Sequence, residues 1–446
     1  MKKLIETIKN IWSIDELRTR ILFTLGLILV YRVGVQIVLP GINPNGLSDI
    51  GKSQNGLLGL LNSFAGGAFN HASIFALGIM PYISASIAMQ LLQIAVPQFK
   101  KLGADESGRR KLNMYTRYLT IGVTFFQALA YINYLNQTVG SAIIENTFLW
   151  KCLVVVVLTA GTLFVMWMGE KITEKGIGNG TSLIIMAGII ARLIPALIHE
   201  WNSRAVGGGG GLIVYVIEIV AMLATILGII VLTQGTRKIP LNYARRMTGA
   251  TTLKDVSGSR DFIPLKVNMA NVMPIIFAQA ILFIPGTLLS GNTSSLAMQF
   301  KDPTSLLYSI TYVVLVIAFT FFYTALIMNP TQMSDDLKRS NGFIPGVKPG
   351  EDTANYIATI IDRITLPGAV ILALIGVLPS IARLCGITSD FSNFFGGTSM
   401  LIMVGVILDT LQQIESKLLE KQYDGLMQSG RISGRTPISS PTPIAG

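Results

Sequence analysis

Residues 212–233 read LIVYVIEIVAMLATILGIIVLT, a run of 22 residues whose one charged side chain is Glu218. An α-helix of about 20 apolar residues crosses roughly 30 Å of hydrocarbon, so this run predicts a membrane-spanning helix. Nine other stretches are similarly apolar, and the ten candidate spans are 21–38, 72–95, 118–135, 152–169, 181–198, 212–233, 267–290, 306–328, 366–382 and 398–414. The sequence therefore predicts an all-α polytopic membrane protein with ten transmembrane helices.

The number of lysine and arginine residues is alternately high and low in successive connections between these spans. One alternate set of connections and termini carries 27 of the 35 cationic residues, and the other set carries 4. The positive-inside rule places the rich set in the cytosol, and an even number of spans keeps both termini there. We therefore expect a multi-pass protein of the cell inner (plasma) membrane. Most of the net charge of +11 is then orientation charge that faces anionic lipids.

The segments outside the spans divide the chain further. Residues 1–20 predict a cytosolic amphipathic segment without the cleavage site of a signal peptide. The basic loops 233–266 and 329–364 exceed the usual loop length of about 15 residues, which favours a function such as docking of an acidic cytosolic partner. The connection 199–211 is Gly-rich and predicted to be external. The tail 415–446 is predicted to be cytosolic, with its Ser- and Pro-rich end disordered.

The sequence contains no motif for catalysis or for a cofactor. Its Gly-rich turns lack the residues and the strand context of a phosphate loop, and its two histidines have no partner at metal-binding spacing. Arg32, Arg192 and Glu218 are charged residues within spans, and we expect them to pair, to snorkel or to reach water at the external surface. An ion-coupled transporter would need more charged residues inside the membrane. We therefore expect no enzyme activity, no cofactor and no metal.

Segment 57–71 (LLGLLNSFAGGAFNH) is too short and too Gly-rich to span a membrane, yet it is very apolar. Such a piece lies at membrane depth only where protein or a cavity surrounds it, although an interfacial helix is an alternative. In the following span, Ile79 and Ile83 are four residues apart on one helix face, and Pro81 is expected to bend the helix. Ile185 and Ile189 repeat this spacing, although isoleucine pairs of this kind commonly serve only as core or lipid contacts.

Several motifs resemble the SecY family, which comprises the channel subunits of the bacterial preprotein translocase. They occur in family order between residue 1 and about residue 425: Gly78–Ile87 (GIMPYISASI), Glu174–Gly180 (EKGIGNG), Pro264–Ala270 (PLKVNMA), Gly342–Gly346 (GFIPG) with Pro349–Glu351 (PGE), and Phe394–Ser399 (FFGGTS). The resemblance implies two inverted five-helix halves, 21–198 and 212–414, that form an hourglass pore. The odd number of spans in each half agrees with the alternation of the cationic residues.

The resemblance also implies roles for individual residues. A pore ring of aliphatic side chains would consist of Ile79, Ile83, Ile185, Ile189, Ile276 and Ile402. The plug that closes the external funnel would be segment 57–71, with Gly59, Asn62, Phe64, Gly66 and Gly67. A lateral gate between spans 2 and 3 and spans 7 and 8 would contain Gln90, Gln127, Asn268, Gln279 and Ala280.

Partners follow from the same resemblance. It implies the small membrane subunits SecE and SecG, a SecA motor or the ribosome, and preproteins that carry a signal. The motor or ribosome would dock on Arg237, Lys238, Arg245, Arg246, Lys338, Arg339 and Lys348. Lys348 departs from the family, which commonly has Arg in this Pro-Gly-x-Arg-Pro-Gly turn. Lys keeps the charge but lacks the planar fork of Arg.

The function that we expect is a protein-conducting channel, driven by a cytosolic partner, that passes unfolded secretory polypeptides and releases apolar segments sideways into lipid. One alternative is a secondary solute transporter with inverted repeats, which would need a solute site at the membrane midplane and charged coupling residues. A static membrane scaffold is a third possibility, and it predicts no conductance after deletion of segment 57–71.

Overall fold

Helices form most of the chain, and ten of those in the described residues correspond to the predicted spans. The structure is a computed structural model that describes residues 12, 14–44, 66–139, 143, 147–206, 211–243, 260–288 and 305–429. The first half contains α1 (Asp15–Val35), α2 (Met80–Ala95), α3 (Pro97–Ala104), α4 (Glu106–Val139), α5 (Phe148–Lys175) and α6 (Gly180–Trp201). The second half contains α7 (Gly211–Gln234), α8 (Met273–Leu288), α9 (Leu306–Ile327), α10 (Pro330–Arg339), α11 (Glu351–Leu384), α12 (Ser389–Ser392) and α13 (Gly397–Ser429). The ten helices other than α3, α10 and α12 confirm the prediction of a mostly helical membrane fold.

The outer surface of these helices is apolar, as the surface of a membrane protein must be. Within the described residues, six helices are long and apolar enough to cross a membrane by length and composition: Phe148–Lys175, Gly180–Arg204, Gly211–Gln234, Leu306–Arg339, Glu351–Leu384 and Gly397–Glu420. In α7, Ile213 and Val231 are each 73% exposed. A soluble protein rarely exposes continuous apolar surface of this extent, so lipid is the solvent that this surface requires.

The second predicted span begins later than its hydropathy indicates. Residues 66–79 form a series of turns, and α2 begins only at Met80. Pro81 lies in the first turn of α2, where its missing N–H is no loss. The prediction that Pro81 bends the helix was therefore wrong. The backbone N–H of Ile83 still donates to the carbonyl of Ile79 at 3.1 Å, so the two side chains keep their helical spacing.

Other helices extend beyond the apolar runs that predicted them. α4 begins at Glu106, α11 begins at Glu351 within the predicted loop 329–364, and α13 continues to Ser429 within the predicted tail. The connection 199–211 is partly helical, because α6 continues to Trp201 and a π-helix follows from Asn202 to Val206. Hydropathy detects only the part of a helix that lies in lipid, so these polar extensions had no signal.

The two long basic loops fold together through a small sheet, which an all-α prediction did not include. β1 (Thr236–Tyr243) pairs antiparallel with β2 (Arg260–Lys266) and, at its end, with β3 (Gly342–Phe343). A separate apolar cluster joins the sheet to α10 and α11; its buried members are Ile239, Leu241, Leu265, Met269, Leu337, Ile344, Ile357 and Ile361. We call this unit, residues 236–243, 260–266 and 330–361, the basic platform, and the face of the protein that carries it the basic side.

Glycines permit close contact between neighbouring segments of the first half. A Cβ atom at Gly161 of α5 would overlap the carbonyl oxygen of Ile74, and one at Gly34 of α1 would overlap the ring of Phe75. Backbone atoms cannot move aside cheaply in a packed interior. The absence of a side chain at these two positions therefore allows the turn segment 66–79 to pack closely against α1 and α5.

We predict that Gly161→Ala lowers the stability of the protein, because the added methyl group overlaps backbone. The cost of such overpacking is about 1–3 kcal/mol. Gly122→Ala in α4 is the matched control, since no atom lies within 4 Å of its added Cβ. Thermal unfolding of the purified protein in detergent measures both. Equal midpoints for the two variants would contradict this packing argument.

Candidate functional site

The six isoleucines predicted for the pore ring come from four elements. Ile79 precedes α2, Ile83 lies in its first turn, Ile185 and Ile189 lie one turn apart on α6, Ile276 lies in the first turn of α8, and Ile402 lies near the start of α13. Four of them are buried: Ile79 (2% exposed), Ile185 (6%), Ile189 (0%) and Ile402 (8%). These four belong to the large apolar cluster of the protein, and Ile83 packs against it. Ile276 is half-buried. This placement inside the protein suits a constriction, and the ring itself stays a prediction.

The predicted plug is described only at its end. Gly59, Asn62 and Phe64 lie outside the described residues, whereas Gly66 and Gly67 form turns with φ of +63° and +91°. Arg32 of α1 donates from Nη1 to the carbonyl oxygen of Gly66 at 3.1 Å. A Cβ atom at Gly66 would lie 2.6 Å from Cα of Gly188 on α6. The end of the plug segment is therefore held between α1 and α6, and Arg32 is one of the groups that hold it.

The turn segment 66–79, which contains the end of the plug segment, is fixed by hydrogen bonds to neighbouring elements. Leu39 N–H donates to Ala72 at 2.8 Å, Ile74 N–H donates to Ile37 at 3.0 Å, and the Tyr131 hydroxyl donates to the carbonyl of Phe69 at 2.8 Å.

A hydrogen bond crosses the predicted lateral gate from the first half to the second. The Tyr323 hydroxyl of α9 donates to Oε1 of Gln90 on α2 at 3.3 Å. Phe277 of α8 packs against Phe319 and Tyr323, with ring centroids 5.7 and 5.5 Å apart. Sequence reasoning missed Tyr323. Its signal was a polar stripe at helical spacing within an apolar run, since Thr320, Tyr323 and Thr324 are all buried.

The other predicted gate residues make no hydrogen bond to Gln90 in the part of the chain that the structure describes. Gln127 is half-buried on α4, Asn268 is 6% exposed just before α8, and Gln279 and Ala280 lie on α8. Among the residues that the structure describes, no hydrogen bond connects Gln90, Gln127 and Asn268 to one another. Gln279 instead lines a cavity with residues of α9, α11 and α13. Hydrogen bonds therefore do not join Gln90, Gln127 and Asn268 into a cluster within the described residues, and the polar cluster of the gate stays a prediction.

The basic platform presents most of the residues that were predicted to dock a partner. Arg237 and Lys238 are exposed on β1, Lys338 and Arg339 are exposed at the end of α10, and Lys348 is exposed in a turn. That turn lies between glycines at positions 346 and 350, whose φ values are +83° and +113°. Arg245 and Arg246 lie outside the described residues. The sequence signal for these strands was an apolar residue at every second position, which are Ile239 and Leu241 in β1 and Ile263 and Leu265 in β2.

Glu218 does not reach water, contrary to the prediction. It is 5% exposed, and its Oε1 accepts a hydrogen bond from Arg204 Nη2 at 2.8 Å. Arg204 follows α6, so this pair joins the first half of the protein to the second. Glu218 is therefore a buried structural charge, in agreement with the expectation that intramembrane charges pair.

Comparisons with known proteins agree on one family. The SecY family model matches residues 73–411. Protein translocase subunit SecY of Mycobacterium tuberculosis is 41% identical over 94% of this chain and 99% of its own length. The subunit of Aquifex aeolicus is 40% identical over 94% and 98%, and that of Escherichia coli K12 is 39% identical over 95% and 96%.

Solved structures show the same fold. A structure described as a protein conducting channel superposes with a TM-score of 0.61 at 19% identity, over 93% of this chain and 94% of that one. A structure of canine Sec61 in a ribosome-channel complex superposes with a TM-score of 0.58 at 17% identity, over the same shares of the two chains. The ten-helix arrangement is therefore shared with these channels.

We predict that Arg32→Met loosens the end of the plug segment, because it removes the hydrogen bond to Gly66 while keeping an apolar side chain of similar length. Labelling of a cysteine introduced at Phe64 by a membrane-impermeant maleimide measures this, and the rate should rise severalfold. Arg117→Met is the matched control, since Arg117 pairs with Glu170 elsewhere on the first half. An unchanged rate in Arg32→Met would show that the bond does not restrain the segment.

Proposed function

Since the chain belongs to the SecY family, we propose that it is a protein-conducting channel of the cell inner membrane. It passes unfolded secretory polypeptides across the membrane and releases apolar segments sideways into lipid. The observation that carries this proposal is the similarity to translocase subunits along nearly the whole chain. The buried isoleucines and the hydrogen-bonded contact between α2 and α9 support it independently, because they supply the two parts that such a channel needs.

The isoleucines are suited to close a pore against ions. Branched aliphatic side chains offer no hydrogen bonds, so a narrow constriction that they line loses its water and blocks ions. The same side chains pack around any passing polypeptide because they make no specific polar contact. Ile402 is the member on α13, where it is 8% exposed.

We predict that Ile402→Asn weakens the closed state, since an amide in the constriction stabilises water there. Reconstituted vesicles should show a higher ion leak, and preproteins with defective signals should be exported more efficiently. Ile407→Asn on the same helix is a control, because Ile407 is 40% exposed. Unchanged leak together with unchanged signal stringency would count against a constriction at Ile402.

Sideways release requires that the two halves part where a signal segment can reach lipid. An apolar segment of about 20 residues gains free energy when it partitions from the pore into the bilayer. The contact of α2 with α9 at Gln90 and Tyr323 is a weak seal, because interhelical hydrogen bonds in membranes contribute about 0.6 kcal/mol on average. A sufficiently apolar segment can therefore displace this contact, whereas a polar segment continues along the pore.

We predict that Tyr323→Phe and Gln90→Leu shift the hydrophobicity at which a segment enters the membrane, because each removes the bond across the gate. A series of test segments with graded leucine content, scored in an insertion assay, measures the threshold. Tyr308→Phe on the same helix is the control, since Tyr308 lies near the other end of α9. If the threshold does not move in either gate variant, this contact is only structural.

The energy for transport comes from outside the chain in this proposal. The basic platform would dock a SecA motor or the ribosome, while SecE and SecG would complete the membrane complex and both termini would lie in the cytosol. The exposed cations of the platform favour an acidic partner surface through long-range attraction. Lys348 would contribute charge without the bidentate hydrogen bonds that an Arg makes.

We predict that Arg339→Glu combined with Lys348→Glu weakens partner binding mainly through slower association, because exposed charges steer encounter. The association rate of the purified motor at low and high salt measures this, and the difference between the variant and the unmodified channel should shrink at high salt. Lys171→Glu is the control, because Lys171 lies at the end of α5, outside the platform. An equal loss of association rate in Lys171→Glu would show that the platform is not the docking surface.

Site-specific crosslinking tests the channel directly. Photoreactive groups at Ile79 and Ile276 should react with a preprotein that is stalled halfway through export. Groups at Ile213, which faces lipid, should not. A secondary transporter would instead take up a small solute with the purified chain alone and would give no such crosslinks.

A further inference from the structure

Three charged residues meet where the chain passes from the first half to the second. Glu200 lies near the end of α6, Arg204 lies in the π-helix that follows, and Glu218 lies in α7. Arg204 Nε is 3.0 Å from Glu200 Oε1, and Arg204 Nη2 is 2.8 Å from Glu218 Oε1. The guanidinium thus bridges two carboxylates that belong to different halves of the protein.

The same cluster holds the connection between α11 and α12 in the second half. Arg204 Nη2 also donates to the carbonyl oxygen of Gly386 at 2.7 Å. Glu200 Oε2 accepts a hydrogen bond from the backbone N–H of Thr388 at 3.1 Å and another from its hydroxyl. Thr388 is the N-cap residue that precedes α12. Four segments are therefore tied together by one Arg and two Glu side chains.

Burial makes these contacts rigid and energetically important. The side chains of Glu200, Arg204 and Glu218 are 0%, 13% and 6% exposed. Charges interact more strongly in this low-dielectric setting than at a surface, and removal of one partner leaves the others buried without compensation. The exposed pair Arg117–Glu170, which joins α4 to α5 within the first half, has the same chemistry without this burial.

The position of the cluster determines what its rigidity does. It lies at the passage 202–211, where the chain crosses between the halves, and α6 also packs against α12 and α13 on this side. The predicted gate involves other helices, where Tyr323 of α9 meets Gln90 of α2. One contact between the halves is thus charged and buried, while the contact at the gate is a neutral hydrogen bond.

We propose that Glu200, Arg204 and Glu218 form an ionic clasp that keeps the two halves together at the 202–211 passage, so that they part at the α2–α9 contact. The three are positioning residues for the gate, and they act on a translocating chain through the relative placement of the halves. This inference rests on the proposed channel function. When the clasp is loosened, the halves can shift at both contacts. The channel then opens more readily for a preprotein whose signal is defective.

The test compares export of one preprotein with an intact signal and with a defective signal. Glu218→Gln and Arg204→Lys are the clasp variants, and Glu170→Gln and Arg117→Lys are the matched controls. Coupling between distant sites is typically worth fivefold or more, so we expect the ratio of defective-signal to intact-signal export to rise by about fivefold in the clasp variants. The controls should keep the ratio of the unmodified channel.

A loss of stability alone would not produce this result, because it reduces both exports equally and leaves their ratio unchanged. An unchanged ratio in Arg204→Lys therefore overturns the clasp, and an equal rise in the controls does the same. If Glu218→Gln does not accumulate in cells, Thr388→Val replaces it beside Arg204→Lys in the test. Thr388→Val removes the hydroxyl that donates to Glu200 and changes no charge. Export of the intact-signal preprotein by the unmodified chain tests the channel function separately, so the two proposals can fail independently.

Discussion

Hydrocarbon offers no hydrogen bonds to a polypeptide backbone, and this constraint shapes every part of the protein. The helices meet this constraint because their backbone N–H and C=O groups hydrogen-bond within the helix. The turn segment 66–79 lacks that solution, and it meets the constraint through bonds from Leu39 to Ala72 and from Ile74 to Ile37. This irregular backbone is enclosed by α1 and α5, and the glycines at positions 34 and 161 allow the enclosure to be close.

Two of the contacts between the halves are chemically unequal. The α2–α9 contact depends on a hydrogen bond between neutral groups, Tyr323 and Gln90, whereas Arg204 makes several charge-assisted bonds near the 202–211 passage. Bonds that involve ionised groups are about twice as strong as neutral ones. A force that separates the halves would therefore act first at the weaker contact. This difference is what a channel with a lateral opening needs, and it arises from side-chain chemistry alone.

Sequence patterns predicted the helices well because the period and length of apolar runs are direct consequences of the bilayer. They failed where polar chain is ordered by tertiary contacts, as in the sheet that joins Ile239 and Leu265, and where turns replace an apolar helix before Met80. At the site, family motifs selected isoleucines that are mostly buried. They did not reveal Tyr323 or the partner of Glu218, because such pairs join side chains of different helices that only the folded chain brings together.

The length of α11 has a mechanical consequence. This single helix of 34 residues begins in the basic platform, where Ile357 and Ile361 are part of the apolar cluster, and it ends two residues before Gly386. At 1.5 Å per residue it measures about 51 Å, more than the thickness of the hydrocarbon. Pro367 and Pro379 lie inside this helix, so it is a continuous but kinked connection from the platform to the carbonyl of Gly386, to which Arg204 donates. A load applied to the platform would therefore pass through protein to the ion pairs around Arg204, with no need for the translocating chain to carry it.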